Sequence, residues 1–222
     1  MRLITVATCN LNQWAMDFAG NLERISESIE NAKKAGAAYR IGPELEIPGY
    51  GCEDHFLEED TIEHSWESLV KILEGDLTKD IVCDIGMPVM HFGVRYNCRV
   101  FCLNHKILLI RPKFWLANDG NYRETRYFAV WSKKHTVEEH RLPATVRAVC
   151  GQRFTKFGDA ILEFNDTRLA SETCEELFTP AAPHIDLVMN GVEIIANGSG
   201  SHHQLRKLDQ RMQLIQSATA KV

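Results

Sequence analysis

Hydrophobic and polar positions change period along this chain, and each change marks an element. Leu3 to Ala7 is a short apolar run of strand length. From Asn21 to Lys34, Leu22, Ile25, Ile29 and Ala32 recur at helical spacing, and Gly36 follows where a helix would end. Tyr39 to Gly42 reads as a second strand. Thr61 to Leu73 carries Ile62, Trp66, Leu69, Val70 and Leu73 on one helical face. Asp80 to Gly86 is apolar on both faces apart from its ends, the pattern of a strand buried between layers.

Val94 to Leu103 and Ile107 to Ile110 flank Asn104-His105-Lys106 and predict a β-hairpin. Phe114 to Gln152 mixes aromatics and charges without a period and reads as loop. Two strands follow, Ala160 to Phe164 and Thr167 to Ala170, then a short helix from Ile185 to Met189 and a strand from Val192 to Asn197. A closing helix from His203 bears the stripe Leu205, Leu208, Met212 and Ile215. That stripe reads either as packing on the body of the protein or as a contact in a homo-oligomer. Helices and strands alternate early and hairpins come later, which predicts an α/β protein with a mixed sheet, or two sheets, and helices outside.

The 222 residues fit one large domain or two small ones, and 45% hydrophobic with 25% charged residues is ordinary for a chain with a real core. A net charge of −5 gives no electrostatic reason to expect nucleic acid or an anionic membrane. The amino end is too short and too polar for a signal peptide, and no run is long enough to span a bilayer, so a cytoplasmic protein is expected. Seven cysteines without regular spacing agree with a reducing compartment. No metal is expected: His202 and His203 are adjacent, would point about 100° apart on a helix, and have no ligand cluster beside them. Cys98 and Cys102 share a strand face, as core residues would.

The chemistry centres on Ser171-Glu172-Thr173-Cys174-Glu175-Glu176-Leu177. An extended run enters it and an acidic helical turn leaves it. A thiol at such a corner is presented to substrate, with free N–H groups of the helix start aimed at it. Glu44 in Gly42-Pro43-Glu44-Leu45-Glu46 could take the thiol proton, and Lys113 at the end of an apolar strand could stabilise an oxyanion. Each residue alone is as readily structural, and spacing does not show that the three meet.

In chain order, Pro43-Glu44, Arg111-Pro112-Lys113 and Cys174-Glu175 resemble the Glu-Lys-Cys triad of the nitrilase superfamily. Further runs, among them Val6-Ala7-Thr8-Cys9-Asn10, Arg95-Tyr96-Asn97-Cys98-Arg99, Asn121-Tyr122-Arg123-Glu124 and Gly198-Ser199-Gly200-Ser201, are similar to the glutaminase (carbon–nitrogen hydrolase) domain of eukaryotic glutamine-dependent NAD synthetases. The resemblance covers nearly the whole chain. It implies one nitrilase-like α-β-β-α sandwich over residues 1–222, short of its carboxyl-terminal strands, with no synthetase domain.

The resemblance also implies that glutamine is hydrolysed to glutamate and ammonia through a thioester on Cys174, with Glu44 as general base and Lys113 as oxyanion stabiliser. Tyr122, Glu175, Phe178, Ser201 and Arg206 would bind substrate, with Lys207 an alternative to Arg206, and Glu124 would stand behind the triad. The glutaminase step would need no cofactor; ATP and Mg would belong to a fused NAD synthetase domain. Two other readings stand beside this one: a non-catalytic fragment, and a stand-alone amidase acting on another small amide.

Overall fold

A computed structural model describes residues 3–220. Helix α1 (Phe18–Lys34) starts where the Asp17 side chain accepts from the Gly20 N–H, and buries Ile25, Ile29 and Ala32. Helix α2 (Glu59–Glu74) buries Ile62, Trp66, Leu69, Ile72 and Leu73. Both lie within two or three residues of the ends the periodicity predicts. Strands β1 (Val6–Thr8), β2 (Tyr39–Ile41), β3 (Val82–His91), β4 (Val94–Leu103) and β5 (Lys106–Pro112) follow the predicted order, and β4 and β5 pair antiparallel as the expected hairpin.

The stretch expected to be loop, 114–152, contains α3 (Glu124–Tyr127), β6 (Val137–Arg141) and α4 (Ala144–Cys150). Then come β7 (Phe154–Gly158), β8 (Leu162–Glu163), β9 (Arg168–Thr173), α5 (Pro183–Met189), β10 (Ile194–Gly198) and α6 (Lys207–Thr219). Strand β7 has no counterpart in the sequence reading. Helix α6 begins at Lys207 rather than His203.

Among the described residues, ten strands form two sheets. One has seven strands in the order β1-β2-β3-β4-β5-β7-β6; the other has three, β10-β9-β8. Alternation along each strand sends successive side chains to opposite faces, and that builds the layers. Cys83, Ile85, Met87 and Val89 of β3, with Cys98, Val100 and Cys102 of β4, pack under α1, α2 and α4. The opposite face presents Tyr39, Ile41, Val82, Phe101 and Leu109, which meet Leu169, Ile194 and Ala196 of the small sheet. The far side of that sheet carries Ala170 and Ile195 against Leu187 of α5. The result is helix, sheet, sheet, helix: the α-β-β-α sandwich. Burying a side chain such as Leu69 or Ile85 contributes roughly 1.5–3 kcal/mol.

The stripe of α6 does not pack on this sandwich. Leu205, Leu208, Met212 and Ile215 are all exposed, and α6 buries none of its residues. Among the described residues no helix is long and apolar enough to cross a membrane.

Candidate active site

Three buried acid–base pairs position the site before any catalytic role is considered. Arg40 forks onto both oxygens of Glu46 at 2.8 Å. Arg99 reaches Asp84 Oδ1 at 2.6 Å and donates to the carbonyls of Gly42 and Pro43. Together they hold both ends of the loop that carries Glu44. Gly86 allows that loop to sit on β3, since a Cβ there would lie 2.5 Å from Leu45 N. The third pair, Arg111 with Glu176, binds the Cys174 turn to the end of β5. Glu176 accepts from Arg111 Nη1 at 2.5 Å, from Thr173 N at 2.6 Å and from Phe114 N at 2.5 Å.

Cys174 therefore sits at a tight corner. It follows β9 directly, opens the 3-10 turn Cys174–Leu177, and has φ +43°. A non-glycine residue there is strained by roughly 1–3 kcal/mol, held in place by its surroundings. The Cys174 N–H donates to Asn197 Oδ1 at 3.1 Å, and Ser199 Oγ lies 3.4 Å from Sγ.

Lys113 brings the carboxylates together. Its Nζ donates to Glu44 Oε1 at 2.6 Å and to both Glu124 oxygens at 2.9 and 2.8 Å. Asn97 Nδ2 donates to the same Glu44 oxygen at 2.7 Å, and Gly200 N to the other at 3.2 Å. Tyr50 donates to Glu124 at 2.5 Å. Glu44, Lys113, Glu124 and Cys174 are each 3% exposed or less.

Burial depresses the Lys113 ammonium, but Glu44 and then Glu124 more than reverse this and hold it charged well above the usual lysine range. Burial, and then the Glu44 charge, push the Cys174 thiol up to about 12, against the opposing pull of Lys113 and Ser199. At neutral pH the sulfur rests as a thiol, so it needs a base. Glu124 is raised to about 7, by burial and then by Glu44.

A cavity of about 250 Å³ opens beside Cys174, with Tyr122, Glu175, Phe178 and Ser201 on its walls. All four belong to the set expected to touch substrate. Arg206 does not line it: it holds φ +66° just before α6 and its side chain is exposed. Lys207 lines the cavity instead, with Nζ 5.3 Å from the Phe178 ring centre and 5.7 Å from that of Tyr122. Asp119 faces the same space, and the sequence reading did not single it out. Sequence reasoning also missed Tyr50, Asn97 and Ser199, although Asn97 and Ser199 stand inside the motif runs quoted above.

These features, a buried Glu-Lys-Glu network beside a thiol on a strained corner, sit in a fold that comparison places. The model of the carbon–nitrogen hydrolase family matches residues 5–221. The chain belongs to that family. It is 63% identical over 222 residues to the glutamine-dependent NAD(+) synthetase of Dictyostelium discoideum, covering 100% of this chain and 31% of that protein. It is 58% identical over 220 residues to the human glutamine-dependent NAD(+) synthetase, covering 99% and 31%. The chain thus spans about a third of the length of these curated relatives.

Among solved structures, a glutamine-dependent NAD(+) synthetase from Cytophaga hutchinsonii superposes with a TM-score of 0.84 at 28% identity, over 97% of this chain and 34% of that one. An amidase of the nitrilase superfamily from Nesterenkonia AN1 superposes with a TM-score of 0.70 at 15% identity, over 96% and 70%, a likeness of fold alone.

Proposed function

We propose that this chain hydrolyses the side-chain amide of glutamine to glutamate and ammonia, as the cytoplasmic ammonia-supplying part of NAD biosynthesis. The observation that carries this reading is the Lys113 ammonium held between Glu44 and Glu124 and acting on Cys174, which lines a cavity with charged groups of both signs.

Glu44 takes the thiol proton as Sγ bonds to the amide carbon, and the carbonyl electron pair moves onto oxygen. Lys113 and the Glu175 N–H stabilise that oxyanion. Collapse breaks the C–N bond, and Glu44 returns its proton to the leaving nitrogen as ammonia. Water then enters. Glu44 removes a proton from it, hydroxide oxygen bonds to the thioester carbon, and collapse expels the sulfur. The proton on Glu44 goes back to sulfur. These steps use side chains and water alone. Glu124, joined to Lys113 and Tyr50, keeps the ammonium aimed at the reaction centre.

Glutamine carries an α-ammonium and an α-carboxylate. Asp119 and Glu175 offer acceptors to the first, and Lys207 and Ser201 offer donors to the second. The cavity's charges favour glutamine over simple aliphatic amides, since an amide without the amino acid groups would leave them unpaired.

The test is covalent labelling by an electrophilic glutamine analogue, with the adduct mapped by mass spectrometry. Labelling at Cys174 that free glutamine suppresses and that Cys174→Ala abolishes is expected. Labelling elsewhere, or equal protection by acetamide, sinks the reading; protection by acetamide alone favours a general amidase.

A further inference from the structure

We propose that Ser199 is a further catalytic residue: its hydroxyl donates to Cys174 Sγ and holds the sulfur's charge whenever the thiolate forms. This rests on the thiol chemistry proposed above and adds a residue to it.

The direction of the hydrogen bond follows from counting. A serine hydroxyl has one proton to give. Ser199 Oγ already accepts from Ser201 N at 3.1 Å, and it lies 3.4 Å from Sγ. The sulfur is the partner that remains for its proton. A neutral thiol is a weak acceptor, but a thiolate is an ionised one, so the bond strengthens as Glu44 removes the proton. It weakens again when carbon takes the sulfur's charge. An interaction that follows the charge in this way lowers the barrier to attack and also helps sulfur leave in the second half of the reaction.

The surroundings leave sulfur short of such help. Cys174 is 3% exposed, so bulk water gives a thiolate there little solvation. The charged groups that act on it are Glu44, Lys113 and Glu124; once Glu44 has taken the proton, Lys113 is the one cation among them, and its ammonium is still engaged by both Glu124 oxygens. The Cys174 N–H is turned away to Asn197. Ser199 is thus the neutral donor on Sγ itself.

The backbone around Ser199 is built to deliver it. Gly198 passes under Arg99, where a Cβ would lie 2.4 Å from Nη1. Gly200 packs against the Tyr50 ring, where a Cβ would lie 2.6 Å from Cδ2, and its N–H reaches Glu44 Oε2. The run from Asn197 to Gly200 therefore touches nucleophile and base at once, with Ser199 at its middle.

The experiment measures alkylation of Cys174 by iodoacetamide, site by site, between pH 6.5 and 9.5. Ser199→Ala is expected to slow it about tenfold or more across the range, since a hydrogen bond to a charged group is worth about one to two powers of ten. Glutamine turnover should lose kcat in step while the dissociation constant for glutamine is unchanged. Ser199→Thr should restore both rates and the isosteric Ser199→Val should not, a comparison that survives even if the alanine variant folds poorly.

A residue that merely supported the corner would, when removed, loosen it and speed alkylation. An alkylation rate equal to or above wild type in Ser199→Ala or Ser199→Val overturns the proposal. If glutamine is never hydrolysed yet the alkylation order holds, the glutamine reading fails and the Ser199 role stands. If glutamine is turned over and alkylation ignores Ser199, the Ser199 role fails alone.

Discussion

Replacing Glu176 with alanine should destabilise this protein by several kcal/mol (at least about 3) although the residue takes no part in the chemistry. Glu176 is fully buried and accepts from Arg111, from the Thr173 N–H and from the Phe114 N–H. Removing it strands the Arg111 charge, which is 3% exposed; losing one partner of a buried pair costs about 3–5 kcal/mol. Two backbone N–H groups also lose their acceptor, at about 1–3 kcal/mol each. Water entering the vacated space would recover part of this, so a loss of at least about 3–5 kcal/mol is expected. Domains of this kind are stable by only about 5–15 kcal/mol.

Urea unfolding followed by tryptophan fluorescence measures the change. A companion variant sharpens it: Arg111→Met with Glu176→Leu replaces the pair with hydrocarbon, still orphans the two N–H groups, but leaves no bare charge. It should be more stable than Glu176→Ala, even though it changes more atoms. A Glu176→Ala protein within about 1 kcal/mol of wild type, or a double variant that is the weaker of the two, would refute the claim that this pair ties the nucleophile corner to β5.

Three further outcomes follow from the geometry. Lys113→Met should cut glutamine turnover about 10²–10³-fold or more, as loss of an oxyanion donor does, and a near-normal kcat would remove Lys113 from the reaction. Lys207→Ala should raise KM for glutamine about tenfold while Arg206→Ala leaves it within about twofold, because only Lys207 lines the cavity; the reverse order would restore Arg206 as the substrate's partner. Burial, with the nearby His91, depresses the buried His140 imidazole to about 4, so the unfolded chain takes up that proton first as pH falls. Stability should therefore decline from pH 6.5 toward 4, by up to about 3 kcal/mol from this group, and a pH series of urea midpoints for wild type against His140→Phe should show the slope reduced in the variant.

Much of the architecture was legible where side chains repeat with one strong period. The faces of α1 and α2, the β4–β5 hairpin and the shared face of Cys98 and Cys102 all rest on that regularity. The missed strands lack it. Strand β6 reads Val137-Glu138-Glu139-His140-Arg141 and turns only His140 fully inward, so its charges hide its period. Strand β7 is short, and Phe157 is its one residue in the main core.

At the site, the order Glu44, Lys113, Cys174 was readable from motifs, but the contacts that support it were not. Glu176 looked like the first turn of a helix; it is the anchor of the corner, through Arg111, sixty-five positions away. Arg206 and Lys207 are adjacent, and motif position does not choose between them. The start of α6 at Lys207, preceded by a left-handed Arg206, decides which of them faces the cavity.

The most direct test of the account is to mix the chain with glutamine, quench in acid within the first turnover, and map the peptides by mass spectrometry. A glutamyl thioester on Cys174, appearing before ammonia reaches its steady rate and absent in Glu44→Gln, is the predicted result. Ammonia released at the wild-type rate by Cys174→Ala would contradict it.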